Sequence, residues 1–513
     1  MAALIAGGSG AARACVAVTG PGGFTNPAAT TINCITVNNA TVTGNVVNAG
    51  NITPGGPSGI LVSNSTINGA IINSGAITAS GDGMSVGTSS LSGGISNSGT
   101  ITAGNIGILV TATLSGGISN SGRITAATGI GVDPTAGFSG DIRNSGTIAA
   151  AANGINIGAS PIFAGAIVNS GTISATAGDG IFVGATTFVG GITNTGTITG
   201  ATGIFLANGG VSLFDSGTIT GTGGHAIEFS GSGNTLTLAP GFAITGLVIG
   251  TAGDALQLGG SGSMSFDASR IGSQYLNFAS FAKVGASTWT LTGSNASVLP
   301  WTVQQGTLNV AAGASLANSP FTVQGGTLSV DGRVGATTLD GGVLLGNGTL
   351  GALTVNSGGT VAPGHSIGTL NVTGNVSFAA GSTYQAETSA AGPSDLIRAT
   401  GTATLTGGTV QALSQVGAYG ASTTYTILTA SGGRTGTFAS VTDNQPYLIA
   451  ALSYDANDVF LTLTRNATFF QSQAVTPNQQ AVAAALDRFA TNDPLFVAAA
   501  GLTGAATQQA LDA

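Results

Sequence analysis

The sequence predicts an all-β fold: a right-handed, three-sided parallel β-helix with a β-rich C-terminal cap and a short α-helical linker at its end. Three observations predict it. An Asn-x-Gly-x-Ile motif, Asn-Ser-Gly-Thr-Ile in its commonest form, begins at Asn48, Asn73, Asn97, Asn120, Asn144, Asn169 and Asn194 and ends in an Asp form at Asp215, with spacings of 25, 24, 23, 24, 25, 25 and 21 residues. Each period holds two more β-branched segments bounded by Gly, Asn or Ser. These are a Gly-Ile-x-Val run (Ile60, Ile108, Ile130, Ile155, Ile181, Ile204) and a Gly-Gly-Ile run (Ile95, Ile118, Ile192). Finally, 87 of the 513 residues are Gly and only 28 are charged, so outward positions must carry Thr, Ser, Asn, Ala and Gly. Three strands and three turns per roughly 24 residues make one coil, which buries its apolar edge only against its neighbours.

The elements follow in order. Residues 1–44 form an N-terminal segment and cap, and 45–230 form the coils just described. The motif asparagine has a structural reading: it tolerates the left-handed conformation, caps its own turn, and when stacked can bond coil to coil. The competing reading, a ligand-binding ladder, is the weaker one. Residues 231–285 lack a clean repeat and read as irregular coils, whereas 286–383 repeat Gly-Thr-Leu-x-Val at Gly306, Gly326, Gly348 and Gly368. Longer, more aromatic strands over 384–466 read as a cap that covers an otherwise unpaired strand edge. Residues 467–513 turn helical: Thr476, Pro477 and Gln479 form an N-cap, first-turn proline and capping box, and Val482, Leu486 and Phe489 share a face. Asp493 and Pro494 restart a second helix, and a third follows.

Composition excludes several function classes. Ten Lys and Arg against 18 Asp and Glu leave a charge of −8, too few cations to neutralise a run of phosphates, so no nucleic-acid partner is expected. No run of 18 apolar residues exists, so no transmembrane helix is expected. Gly lacks a three-residue period, which excludes collagen.

The stretch from Lys283 through Gly285, Trp289, Trp301 and Gly306 resembles the passenger-associated transport repeat of autotransporters, the type V secretion route of Gram-negative bacteria. Pro363 to Val372, with Tyr384 to Glu387 and Asp395 to Ile397, resembles the pertactin-like region of such passengers, which is associated with folding after translocation. Gly436 to Arg465 resembles its final strands, and Thr476 onward resembles the linker that threads the outer-membrane barrel. The resemblance covers residues 280–513 and implies an autochaperone-like cap over 384–466. It also implies a translocator barrel in cis, which the sequence does not contain through residue 513. A basic signal-peptide region is likewise not seen ahead of Cys15. A surface or secreted passenger exported through periplasm and outer membrane is the expected location.

Candidate chemistry is sparse. Cys15 and Cys34 lie 19 residues apart and could close a loop over the first coil or remain free thiols. His225 and His365 read as structural, because His365 and Ser366 are chain neighbours without a positioned acid and no nucleophile elbow is present. Asp82, Asp133, Asp141 and Asp179 could stack on one edge as in β-helical lyases, but Arg123 and Arg143 are the only local cations, so solvated turn carboxylates are the default reading. The resulting expectation is a non-enzymatic passenger acting in adhesion or aggregation, with no catalytic, cofactor-binding or metal-binding residues and no cofactor. Its partners would be host or bacterial surface glycans or proteins, or a second copy. The alternatives are a carbohydrate-active β-helix enzyme and a structural surface-layer or fibre subunit.

Overall fold

A computed structural model describes residues 15–53, 57–133, 138–159, 162–502 and 504–512. The chain divides into two compact units, one of Met1–Gly260 with Arg270–Ser280, the other of Ser261–Ser269 with Phe281–Ala513.

The first unit is a parallel β-helix whose coils stack in register, with shifts only between Gly200 and Thr202 and around His225 among the described residues. On one face Ile71–Asn73 pairs with Ile95–Asn97, then Ile118–Asn120, Ile142–Asn144, Ile167–Asn169 and Ile192–Asn194, Ile on Ile and Asn on Asn. A second face stacks Ala76–Ala79, Thr100–Ala103, Arg123–Ala126, Thr147–Ala150 and Thr172–Ala175. A third stacks the Gly-Ile-x-Val runs, from Ser58–Ser63 through Ile181–Val183. In Thr197–Leu206 and Thr218–Phe229 these last two faces fuse into single long strands. A short fourth column, Thr66–Ile67, Ser90–Leu91 and Thr113–Leu114, continues as single bridges through Phe138, Phe163 and Phe188. Strand alternation sends Ile77, Ile101, Ile124, Ile148, Ile173 and Ile198 inward, all with no exposed surface. Full burial of such a side chain contributes roughly 1.5–3 kcal/mol, so each coil is held by its neighbours' isoleucines.

The motif glycine is fixed by close approach. A Cβ on Gly99 would overlap the carbonyl oxygen of Gly75, and one on Gly122 would overlap that of Gly99. Only a residue without a side chain lets successive turns nest there. Cys15 and Cys34 are joined as a disulfide between the strands Val16–Val18 and Ile35–Asn38, which pair in parallel.

The second unit is also built from stacked parallel strands, but its coils are shorter. Thr307–Val310 pairs with Thr327–Val330 and then with Val343–Gly346 and Thr360–Pro363. The motifs at Gly348 and Gly368 fall on a different face, where Thr349–Leu350 and Thr369–Val372 continue the column of Ser315–Leu316 and Arg333–Val334. Phe321 pairs with Thr337 only 16 residues on, so coil length varies along the stack and the Gly-Thr-Leu segments do not all share one column. Gly306 and Gly326 open their strands at φ +65° and +67°, the left-handed region that glycine enters without penalty. The stack ends in antiparallel strands: Ser422–Ala430 pairs with Asp458–Arg465, which pairs with Leu448–Tyr454.

The helix Pro477–Leu486 is capped as the sequence suggests, with Gln479 N donating to Thr476 Oγ1 and Thr476 N donating to Gln479 Oε1, both at 3.2 Å. Its buried face differs from the expected one. Gln479, Ala483 and Leu486 are buried, whereas Val482 and Phe489 are 38% and 37% exposed. The helix packs against Ala505–Asp512, with Gln479 Nε2 donating to Gln508 O at 3.3 Å, so tertiary contact turns Gln479 inward in place of Val482.

Candidate functional site

The asparagines lie inside the first unit, with at most 1% of their surface exposed. Each Nδ2 donates to the next coil's Oδ1: Asn26 to Asn48, Asn48 to Asn73, Asn73 to Asn97, Asn97 to Asn120 and Asn120 to Asn144, all at 2.7 Å. Asn144 to Asn169, Asn169 to Asn194 and Asn194 to Asp215 follow at 2.8 Å. The expected left-handed conformation is not what the asparagines adopt. They end strands in extended backbone, and the amide ladder alone accounts for the residue type. A buried ladder presents nothing to a ligand.

The titratable side chains are scattered. Asp82 accepts from Asn105 Nδ2 at 2.9 Å, and Asp141 pairs with Arg143 and accepts from Ala166 N at 2.8 Å. Asp179, bonded to Thr202, is pushed above the usual carboxylate range by burial, with Glu228 adding to the shift. His225 Nδ1 lies 2.9 Å from Glu228 Oε2 beside Thr202, its partner on the neighbouring strand. Asp82 heads the Gly-Ile-x-Val face and Asp141 precedes the asparagine face, so the single edge of stacked carboxylates does not form. Among the described residues no three His, Cys, Asp or Glu side chains are grouped to hold a metal ion.

The second unit contains the set with the most chemistry. The turn after Thr360–Pro363 is held by Gly364, at φ +86°, whose N donates to Gly346 O at 2.8 Å. That turn sets His365 Nε2 2.8 Å from Asp331 Oδ2 and 3.0 Å from Oδ1. Asp331 Oδ1 also accepts from Asn347 N. Asp331 borders a shallow groove of about 480 Å³ that includes Arg333, Asn347 and Thr349. Ser366 Oγ donates instead to Glu387 Oε2 at 3.4 Å. A serine, an imidazole and two carboxylates thus meet on one exposed edge, yet the serine engages Glu387 rather than the imidazole. Proton relay would require Ser366 Oγ on His365 Nδ1. Sequence reading missed this acid because Asp331 lies 34 residues before His365. Beneath the turn, buried Asp395 accepts from Gly368 N and Glu387 N, each at 2.8 Å, and burial pushes its carboxyl up to about 7.

Lys283 is fully buried, and its ammonium donates to the carbonyls of Val284, Gly285 and Gln305 at 2.8, 2.7 and 3.1 Å. Three acceptors for three N–H groups explain why a cation can stand in a core with Trp289 and Trp301. Its role is to hold the turn.

No known family profile matches the chain. Over 222 residues it is 35% identical to an extracellular serine protease of Serratia marcescens, covering 42% of this chain and 19% of that protein. A second extracellular serine protease of the same organism is 33% identical over 141 residues, 26% of this chain and 13% of the relative. The chain therefore spans less than a fifth of the length of either relative. These relatives overturn the expectation that the protein is not an enzyme, since both are named serine proteases. That expectation rested on adjacency and short motifs, whereas nucleophile, base and acid are recognised only by their placement in space.

Proposed function

We propose that this chain is the β-helical body of a secreted autotransporter passenger and that the protein to which it belongs is proteolytic. Partial homology to an extracellular serine protease together with a parallel β-solenoid fits an autotransporter passenger. The observation that carries the reading is the pairing of that homology with a stack whose core is apolar and whose outer face is almost uncharged. Nearest-neighbour stacking suits a chain that must emerge unfolded and fold coil by coil. A cell-surface or extracellular location agrees with the relatives' names, and the partner implied is an outer-membrane translocator barrel in cis. The test has two parts. Antibody to the chain should label intact cells or the culture medium, and retention inside the cell would overturn the export reading. The native protein should take up a fluorophosphonate serine-hydrolase probe and cleave casein, and failure of both would overturn proteolysis. Ser366→Ala tests whether the His365 edge takes part.

A second reading, adhesion or aggregation, is favoured by one feature. Thr147, Thr172, Thr197 and Thr218 form one outward row, with Arg123 between it and Thr100, and Thr102, Thr125, Ser174, Thr199 and Thr220 form another on the same face, interrupted by Ala149. Such hydroxyl-rich rows suit neutral glycans or a second copy. Binding of chain-coated beads to cells, abolished when Thr147 and Thr172 become Lys, would support it, and unchanged binding would refute it.

A further inference from the structure

The asparagine ladder has a direction, and its last member differs in kind. Every rung donates from Nδ2 toward the following coil, so the final residue needs only to accept. At that place stands Asp215, with no exposed surface. Its Oδ1 accepts from Asn194 Nδ2 at 2.8 Å and from Gly217 N at 3.2 Å. Its Oδ2 is buried with no hydrogen-bond partner among the described residues, and the next coil places Leu238 in register. A carboxylate there would carry a buried charge on an oxygen that nothing compensates, which costs far more than burying the neutral acid.

We propose that Asp215 ends the ladder as a neutral carboxylic acid and that losing its proton loosens the coil between Asn194 and Leu238, making this coil a pH-sensitive element built into the helix. Among the described residues Asp215 accepts from Asn194 and Gly217 and forms no ion pair, and the titratable group facing it is the buried Tyr275, which Arg270 in turn approaches. Burial pushes the Asp215 carboxyl up to about 7, against the smaller opposing effect of the Asn194 and Gly217 bonds. A proton held more tightly in the folded chain stabilises the fold in full below the ordinary carboxylate range, and that stabilisation is lost as pH rises through about 7.

The experiment is hydrogen exchange on the intact chain between pH 4 and 9, corrected for intrinsic rates. It follows the amides of Ser216, Thr218 and Ala239, which donate to Asn194 O, Gly196 O and Asp215 O. In the wild type, local opening of this coil should rise by up to roughly tenfold per pH unit between about 4 and 7 and then level off. Asp215→Asn keeps an acceptor for Asn194 and cannot ionise, so its profile should be flat, while Asp179→Asn should leave the wild-type slope intact. As a second measurement, the infrared difference between the wild type and Asp215→Asn should show a carboxylic-acid band persisting above pH 6, which separates it from the Asp395 acid that both chains keep. A flat wild-type profile, a slope that survives Asp215→Asn, or absence of that band would overturn the proposal.

Discussion

Removing one rung from the middle of the ladder tests whether it holds the coils together. Asn120 accepts from Asn97 and donates to Asn144, each at 2.7 Å, with weaker approaches to Gly122 O and Thr147 O at 3.4 and 3.5 Å. Asn120→Ala leaves the Asn97 donor and the Asn144 acceptor facing a dry gap. Each buried orphan costs about 1–3 kcal/mol, so the loss should be roughly 2–6 kcal/mol before any relaxation of the gap. The matching control is Asn26→Ala at the open end. Asn26 donates to Asn48 Oδ1 and accepts from Thr30 Oγ1, a hydroxyl that also reaches Pro27 O at a part-exposed position, so only one buried orphan results. The end substitution should cost about half as much or less. Urea unfolding followed by circular dichroism gives both values, and hydrogen exchange should place the Asn120→Ala opening in the coils around 97–147. Equal costs at the two sites, or a loss under about 1 kcal/mol at Asn120, would refute the view that the ladder is a chain of mutually satisfied buried amides.

Three further predictions concern other groups. Lys283→Met leaves three carbonyls without their donor and should lower the stability of the second unit by about 2–4 kcal/mol in denaturant titrations. Burial pushes the Lys283 ammonium down to about 8, so wild-type stability should increase with pH from there to the ordinary lysine range, a trend that Lys283→Met should abolish. Asp395, raised to about 7 by burial, makes the second unit most stable in acid and less so as pH climbs to neutrality; Asp395→Asn should flatten that profile in thermal melts at graded pH. Cys15→Ser with Cys34→Ser opens a loop of sequence separation 19 and should cost about 3 kcal/mol, matched by adding reductant to the wild type.

Much of the fold is legible in the chain because a solenoid is nearly one-dimensional. When the same three segments return every 21 to 25 residues, stacking like on like is the only arrangement that buries every isoleucine, and Ile71, Ile95 and Ile118 fall into register accordingly. The capping box at Thr476 and Gln479 is equally local, since donor and acceptor lie within one helical turn. Where coil length changes, periodicity misleads: the Gly-Thr-Leu motifs at Gly326 and Gly348 look like one ladder but belong to different faces.

The sites follow the same division. The presence of one asparagine per coil is written in the sequence, but its direction is not. Whether Asn120 faces solvent or core depends on which way the strand's alternation falls against its neighbours, and a shift of one residue would reverse it. Likewise His365 and Asp331, 34 residues apart, become neighbours only because intervening coils return the chain to the same edge. The spacing of residues determined that this protein stacks, since that needs only local pattern and repetition. Tertiary structure alone decided which polar groups meet, which stay dry and which carboxyls hold their protons, because burial and long-range proximity are properties of the stack and not of any single repeat.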